Sequence, residues 1–320
     1  MTTTTSTPRT VAAPPSTRDL LTRPDTRRKL VDRGMRGVVT LAFLVALVPL
    51  ISLVWTVLVN GFERLSPYFL VVSMRGVFGG MDAGGIYHAM VGTLLVTGFA
   101  ALISVPIGLL TAIYLVEYGR GRLARAVTFF VDVMTGIPSI VAGLFAYALF
   151  AVFFGPGVRF GVVGAVALSV LMTPVVVRSS EEMLRLVPNE LREAAYALGV
   201  PKWLTIVKVV LRTSAAGIVT GVMLAVARVI GETAPLLITL GVIDSINYNL
   251  FEGRMMTLPV YVYRQYQQGL VPCRPEQLDC IATINFDRAW AAALVLIIIV
   301  LVLNLVARLI ARWFAPARGH

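Results

Sequence analysis

Apolar residues fall in long runs separated by short polar segments, a pattern too extended for the face of a soluble helix. A helix crossing bilayer hydrocarbon needs about 20 apolar residues. Five uncharged runs reach that length and a sixth does so with interruptions. They lie at Val38 to Val59, Ile86 to Val116, Thr128 to Phe154, Phe160 to Val177, Thr213 to Leu240 and Ala289 to Ala307. The pattern predicts an all-α membrane protein with six transmembrane helices. The fifth run is the interrupted one, because it carries Arg228 and Glu232 inside apolar surroundings.

Composition strengthens this reading. Of 320 residues, 57% are hydrophobic and 14% charged, and the mean hydropathy is +0.82, which argues against a water-soluble enzyme. The 27 Gly and 17 Pro suit membrane helices, where both residues are commoner than in soluble ones. The net charge of +11 points to anionic lipid or an anionic solute, and no nucleic-acid partner is expected.

Six spans put both termini on one side, and Lys and Arg retained in cytoplasmic loops say which. Residues 1–37 hold eight, 117–127 three, 178–212 six and the C-terminal tail three, against seven in the alternate loops. Both termini are therefore expected in the cytoplasm of a bacterial cell with the chain in its inner membrane. Residues 1–37 read as a disordered basic tail, 38–310 as the permeation domain and 311–320 as a second tail. The first run is longer than the core of a signal peptide and begins late, so it reads as a permanent helix. Cys273 and Cys280 fall in the outer loop 241–287, where either a disulfide or two free thiols fits. Neither these cysteines nor the two His at 88 and 320 suggest a metal site.

The three Lys, at 29, 202 and 208, follow Arg28, Pro201 and Val207. None belongs to the Gly-rich phosphate-cradling loop of an ATPase. No cofactor is expected on this chain. If transport is driven by ATP, a separate chain must hydrolyse it and dock on the loop 178–212. That loop reads as helix, turn, helix: Gly199 suits a left-handed C-terminal stop and Pro201 the first turn of a following helix. Leu191, Ala194, Ala195 and Leu198 are expected on one face, with Arg192 and Glu193 elsewhere.

Glu193, Ala194 and Ala195, three further residues and Gly199 resemble the EAA loop of binding-protein-dependent ABC importer permeases. In the family pattern nine residues then lead to I-x-L-P; here Val209 and Leu211 take the apolar positions and Arg212 stands where Pro is usual. G-I-P-S-I-V at Gly136 to Val141, T-P-V-V-V-R-S-S-E-E at Thr173 to Glu182 and R-V-I-G-E-T at Arg228 to Thr233 resemble the phosphate-specific branch, of the PstA type. The resemblance implies the type I, MetI-like permease architecture and docking of the ATPase through Glu193, Ala194, Ala195 and Gly199. It implies as partners a homologous PstC-type permease chain, a dimeric PstB-type ATPase and an extracytoplasmic PstS-type phosphate-binding protein.

The same residues carry chemistry of their own. With the fifth span starting at Thr213, Arg228 would lie about 22 Å along it, where a lipid-facing charge costs roughly 2.5–3.5 kcal/mol. Arg228 and Glu232, four apart, would share one helix face turned to an interior or a watery cavity. A guanidinium matches oxyanion atoms two at a time, and Glu232 can accept the proton that phosphate retains and sulfate lacks. The other reading is a structural Arg228–Glu232 pair. Thr233 completes that segment. Arg178, Glu181 and Glu182 fall at the inner end of the fourth span, as a gate or as interfacial charges. Gly136, Pro138 and Ser139 break the third span, either turning N–H groups toward an anion or kinking it. Asp132 reads as an inner-end anchor. The expected solute pathway thus comprises Arg228, Glu232, Thr233, Arg178, Glu182 and Ser139.

Together these observations imply a phosphate permease subunit that performs no covalent chemistry. A permease for sulfate or molybdate would use the same Arg. A lipid-phosphate enzyme would need a nucleophile or metal cluster absent from the spans, and a proton-coupled carrier would have no use for the docking loop.

Overall fold

The computed structural model describes residues 26–274 and 279–314. Residues 1–25 and 315–320, with most of the expected N-terminal tail and the end of the C-terminal one, lie outside them. Helix α1, Thr26–Arg64, begins well before Val38, so the basic stretch 26–37 is helical where a disordered tail was expected. The chain forms two compact units, Met1–Trp55 and Thr56–His320. In the first, the apolar side chains from Leu30 to Leu53 are largely exposed.

The second unit holds the end of α1 and the remaining helices. After α2, Pro67–Val71, α3 runs over Tyr87–Ile113 and continues through a π turn at Tyr114–Tyr118. Helices α4, Gly121–Thr135, and α5, Ser139–Phe154, follow, then α6, Gly161–Arg185. The short α7, Asn189–Ala197, and α8, Lys202–Thr205, lead through a second π turn, Ile206–Val210, into α9, Leu211–Val229. Helices α10, Ala234–Thr239, and α11, Leu258–Gln268, precede the last span, α12, Ile284–Phe314. No strand occurs among the described residues.

Among the described residues five helices are long and apolar enough to cross a membrane, and the α4–α5 pair makes a sixth only if counted as one span, because it bends by 109°. The expected third span is therefore not a straight crossing. Gly136, Ile137 and Pro138 separate its halves: the N–H groups of Gly136 and Ile137 close a turn on the carbonyls of Val133 and Met134, and Pro138 has no N–H to continue the helix.

The core joins α3, α6, α9 and α12 through Val96, Ala100, Leu168, Met172, Val176, Ala225, Val229, Ala291 and Val295. Small residues let backbones approach closely, the usual solution where lipid removes the hydrophobic drive between helices. A Cβ on Gly143 of α5 would meet Pro235 Cα of α10 at 2.6 Å, and one on Gly221 of α9 would meet Ser179 of α6 at 2.6 Å.

The fifth span also departs from expectation. It begins at Lys202, ahead of Thr213, and ends at Val229, so the stretch to Leu240 is not one helix. After Val229 the chain turns at Ile230 and Gly231 and restarts at Ala234, where α10 packs against α5 and α6.

Candidate functional site: a helix break and a docking loop

Arg228 stands in the last turn of α9, and Glu232 lies beyond its end in the break before α10. The two do not share a helix face, which corrects the geometry drawn from their spacing; the helix stops because Gly231 and Glu232 turn, the Glu232 N–H reaching the Val229 carbonyl at 3.1 Å. Arg228 is exposed within this chain while its neighbours Ala225 and Val229 are buried, and Glu232 and Thr233 are half-buried. No hydrogen bond or ion pair joins the Arg228 or Glu232 side chain to a described residue. The alternative of a locked Arg228–Glu232 pair is absent from this arrangement.

Ser139 opens α5 as Thr233 precedes α10, and the Gly143–Pro235 contact sets the first turns of those helices side by side. Arg178 is elsewhere. Because Gly221 of α9 meets Ser179 of α6, and Gly217 meets Met183, these helices run antiparallel in register. Arg228, seven residues beyond Gly221, therefore lies about 10 Å further along the axis than Arg178 at 1.5 Å per residue.

Arg178 instead belongs to a charge cluster nearer the docking loop. It donates to Asp132 of α4 and, at 2.8 Å, to Glu181, whose other oxygen accepts from Arg185 at 2.8 Å. Glu181 is buried and Glu182 exposed, so of the two adjacent carboxylates it is Glu181 that the cluster uses. Asp132, to which sequence assigned no chemistry, ties the bent α4 to α6. No local signal pairs residues 46 apart; only the fold does.

The loop 178–212 is built from its expected turn. Gly199 has φ +75°, its N–H meets the Tyr196 carbonyl at 2.9 Å and the Val200 N–H meets that of Ala195 at 3.1 Å. These are the two bonds that close a helix on a left-handed glycine. The faces of α7 differ from expectation: Ala195 is buried and Arg192 turns inward, leaving Leu191, Ala194, Leu198 and, after the turn, Trp203 outward with Glu193. Arg192 donates to Glu117 at 3.0 Å and to the carbonyls of Val187 and Leu184. Lys202 reaches the Glu117 carbonyl and sits 4.4 Å from the Tyr118 ring centroid. The loop is thereby pinned to the end of α3.

At the opposite end of the bundle, Cys273 and Cys280 are joined in a disulfide. No cluster of potential metal ligands occurs among the described residues.

A bundle with bent and broken helices around unpaired intramembrane charge, carrying a rigid loop at one end, is the architecture of a multi-pass transport component. Residues 104–320 match the family described as binding-protein-dependent transport system inner membrane component, and the chain belongs to that family. It is 49% identical over 279 residues to phosphate transport system permease protein PstA 1 of Mycobacterium tuberculosis, covering 87% of this chain and 86% of that protein. It is 48% identical over 266 residues to PstA of Mycobacterium leprae, covering 82% of this chain and 83% of that protein. With PstA of Pasteurella multocida the identity is 38% over 288 residues, covering 88% and 95%. In fold it resembles a chain of the MetNI methionine ABC transporter, with TM-score 0.53, 19% identity and coverage of 79% of this chain and 100% of that one. It also resembles a chain of a bacterial alginate ABC transporter complex, with TM-score 0.60, 14% identity and coverage of 88% and 94%. The expected all-α, MetI-like permease fold is thus found.

Proposed function

We propose that the chain is the transmembrane permease subunit of an ATP-driven importer of inorganic phosphate, forming half of the solute pathway. The observation that carries this reading is Arg228, exposed and without a partner among the described residues in the last turn of a membrane span. A charge facing acyl chains is disfavoured, by roughly 2.5–3.5 kcal/mol at a helix centre; facing a hydrated passage between two permease chains it costs little and offers bidentate donors to an oxyanion. Glu232 and Thr233 stand next along the chain, where a carboxylate accepts the proton of hydrogen phosphate and repels fully ionised sulfate. The kinship with phosphate transport permeases supports phosphate as the solute, and the Lys and Arg distribution supports cytoplasmic termini.

The second permease chain, of the PstC type, completes the passage. A dimer of PstB-type ATPases receives the outward face of α7, with Glu193, Ala194 and Gly199 at the contact and Ala195 shaping the helix from beneath. ATP-driven movement of α7 passes to α3 through Arg192, Lys202 and Glu117, alternating access to the passage. A PstS-type binding protein delivers phosphate to the far end.

Radiolabelled phosphate uptake in cells lacking other phosphate importers tests this. Arg228→Ala is expected to lower uptake by about tenfold or more, the scale of losing charge-assisted hydrogen bonds; an unchanged rate rejects the pathway. Glu232→Gln is expected to make sulfate an effective competitor.

A further inference from the structure

At the end of the bundle away from the docking loop lies a cavity of about 410 Å³ that the proposed passage does not use. Its polar wall comes from Asp244, from Arg264, Gln265 and Gln268 of α11, and from Asn285 and Arg288 of α12. Volumes of this order accommodate small ligands. Two guanidiniums face one carboxylate, so the wall carries net positive charge. Arg264 spends one nitrogen on Asp244 at 2.9 Å.

Arg288 is the more telling residue. It is 1% exposed; its Nη2 donates to the Met81 and Ala83 carbonyls at 2.7 and 2.8 Å, yet its Nε has no partner. Gln265, 3% exposed, leaves its carbonyl oxygen unpaired, as do the hydroxyl of Tyr261 one turn earlier and both ring nitrogens of His88. Burial pushes the Tyr261 phenol above its usual range, so it remains a neutral donor. A buried donor without an acceptor costs about 1–3 kcal/mol, and more when charged. Tyr261 and His88 lie outside the lining; of the unpaired atoms on lining residues, the Arg288 Nε is a donor and the Gln265 oxygen an acceptor, which together fit a protonated oxyanion, a species that both accepts and donates.

The Val271 N–H on the Ala282 carbonyl and the Ile281 N–H on that of Gly80, with the Cys273–Cys280 disulfide, tie together the segments that carry Val271 and Gly79, which also line the cavity.

We propose that this cavity is a second oxyanion site, which inorganic phosphate occupies before it reaches Arg228. The assignment rests on the proposed function for the identity of the anion and for the direction of travel. Arg264 and Arg288 supply the positive charge, the Asn285 amide adds a neutral polar partner, and Asp244 accepts the proton of hydrogen phosphate; Gln268 stands on the wall as a reporter position and not as a ligand.

The test is protection of an introduced thiol. Both native cysteines are in the disulfide, so Gln268→Cys gives this chain one reactive sulfur at the cavity. The assembled transporter in lipid nanodiscs, without binding protein, is treated with a charged methanethiosulfonate, and labelling of this chain is read by mass spectrometry. Inorganic phosphate at twice its Kd leaves about one third of the sites free and should slow modification about threefold, while chloride at equal ionic strength should not. Arg264→Gln should abolish protection, the rate with phosphate equalling that of the same variant without it. No protection in the Gln268→Cys protein, or equal protection by chloride, overturns the site whether or not Arg264→Gln assembles. In an Arg228→Gln background protection should persist while uptake is lost. Normal uptake there would reject the Arg228 pathway and leave the cavity to be judged on protection alone.

Discussion

Glu181 shows what a single carboxylate does when two arginines share it. It is 8% exposed and bonded to both Arg178 and Arg185, whereas Asp132, on the far side of Arg178, is 58% exposed. Loss of Glu181 removes charge-assisted bonds to both guanidiniums, worth about 1.5–3 kcal/mol, and leaves Arg178 and Arg185, 32% and 64% exposed, to water; loss of an exposed partner costs about 1 kcal/mol or less. Glu181→Ala should therefore lower the thermal midpoint of the purified protein well below that of Asp132→Ala. Equal midpoints would mean that the cluster contributes through α4 and not through the buried carboxylate. Arg178, Glu181 and Glu182 were visible in sequence as charge at the end of an apolar run. Which carboxylate turns inward was not, because that depends on a helix reached only through the bend at Gly136–Pro138.

Two glycines set apart local from tertiary constraint at the scale of elements. Gly199 has open space where a Cβ would go but φ +75°, so its substitution is purely a backbone matter. Gly199→Ala should cost about 1–2 kcal/mol and fray the end of α7, measurable as faster hydrogen exchange at the Gly199 and Val200 amides. Exchange at the wild-type rate would show that the turn does not need the left-handed residue. Gly143 is the opposite case, with ordinary dihedrals and a neighbouring backbone at 2.6 Å. Gly143→Val should cost about 1–3 kcal/mol through overpacking and push α10 from α5. The docking turn was legible because its glycine acts within six residues. The end of the fifth span was not: hydropathy continues past Val229 to Leu240, and nothing in an apolar run announces that Gly231 and Glu232 will turn. The inward rotation of Arg192 likewise depends on Glu117, a residue on another helix.

Across the whole molecule, polar features gather at three levels: the pinned loop α7, the helix break at Arg228 and Glu232, and the disulfide-clipped cavity lined by Arg264 and Arg288. The apolar runs, the all-α class of fold and the glycine turn at Gly199 were legible from periodicity and spacing, since membrane helices must satisfy their own backbones and so declare themselves along the chain. The cavity was not, because its wall is drawn from residues 74–79, from Asp244 and α11, and from the start of the last span. The central claim is that Arg228 remains unpaired by protein because a hydrated oxyanion passes it. The most direct measurement is a cryo-electron microscopy structure of the assembled transporter in a lipid nanodisc, made with and without phosphate. The account predicts the Arg228 guanidinium lining a water-filled passage between the two permease chains, with phosphate within hydrogen-bonding distance in the loaded state. A guanidinium sealed against a carboxylate of the second permease chain, or turned to lipid in both states, would contradict it.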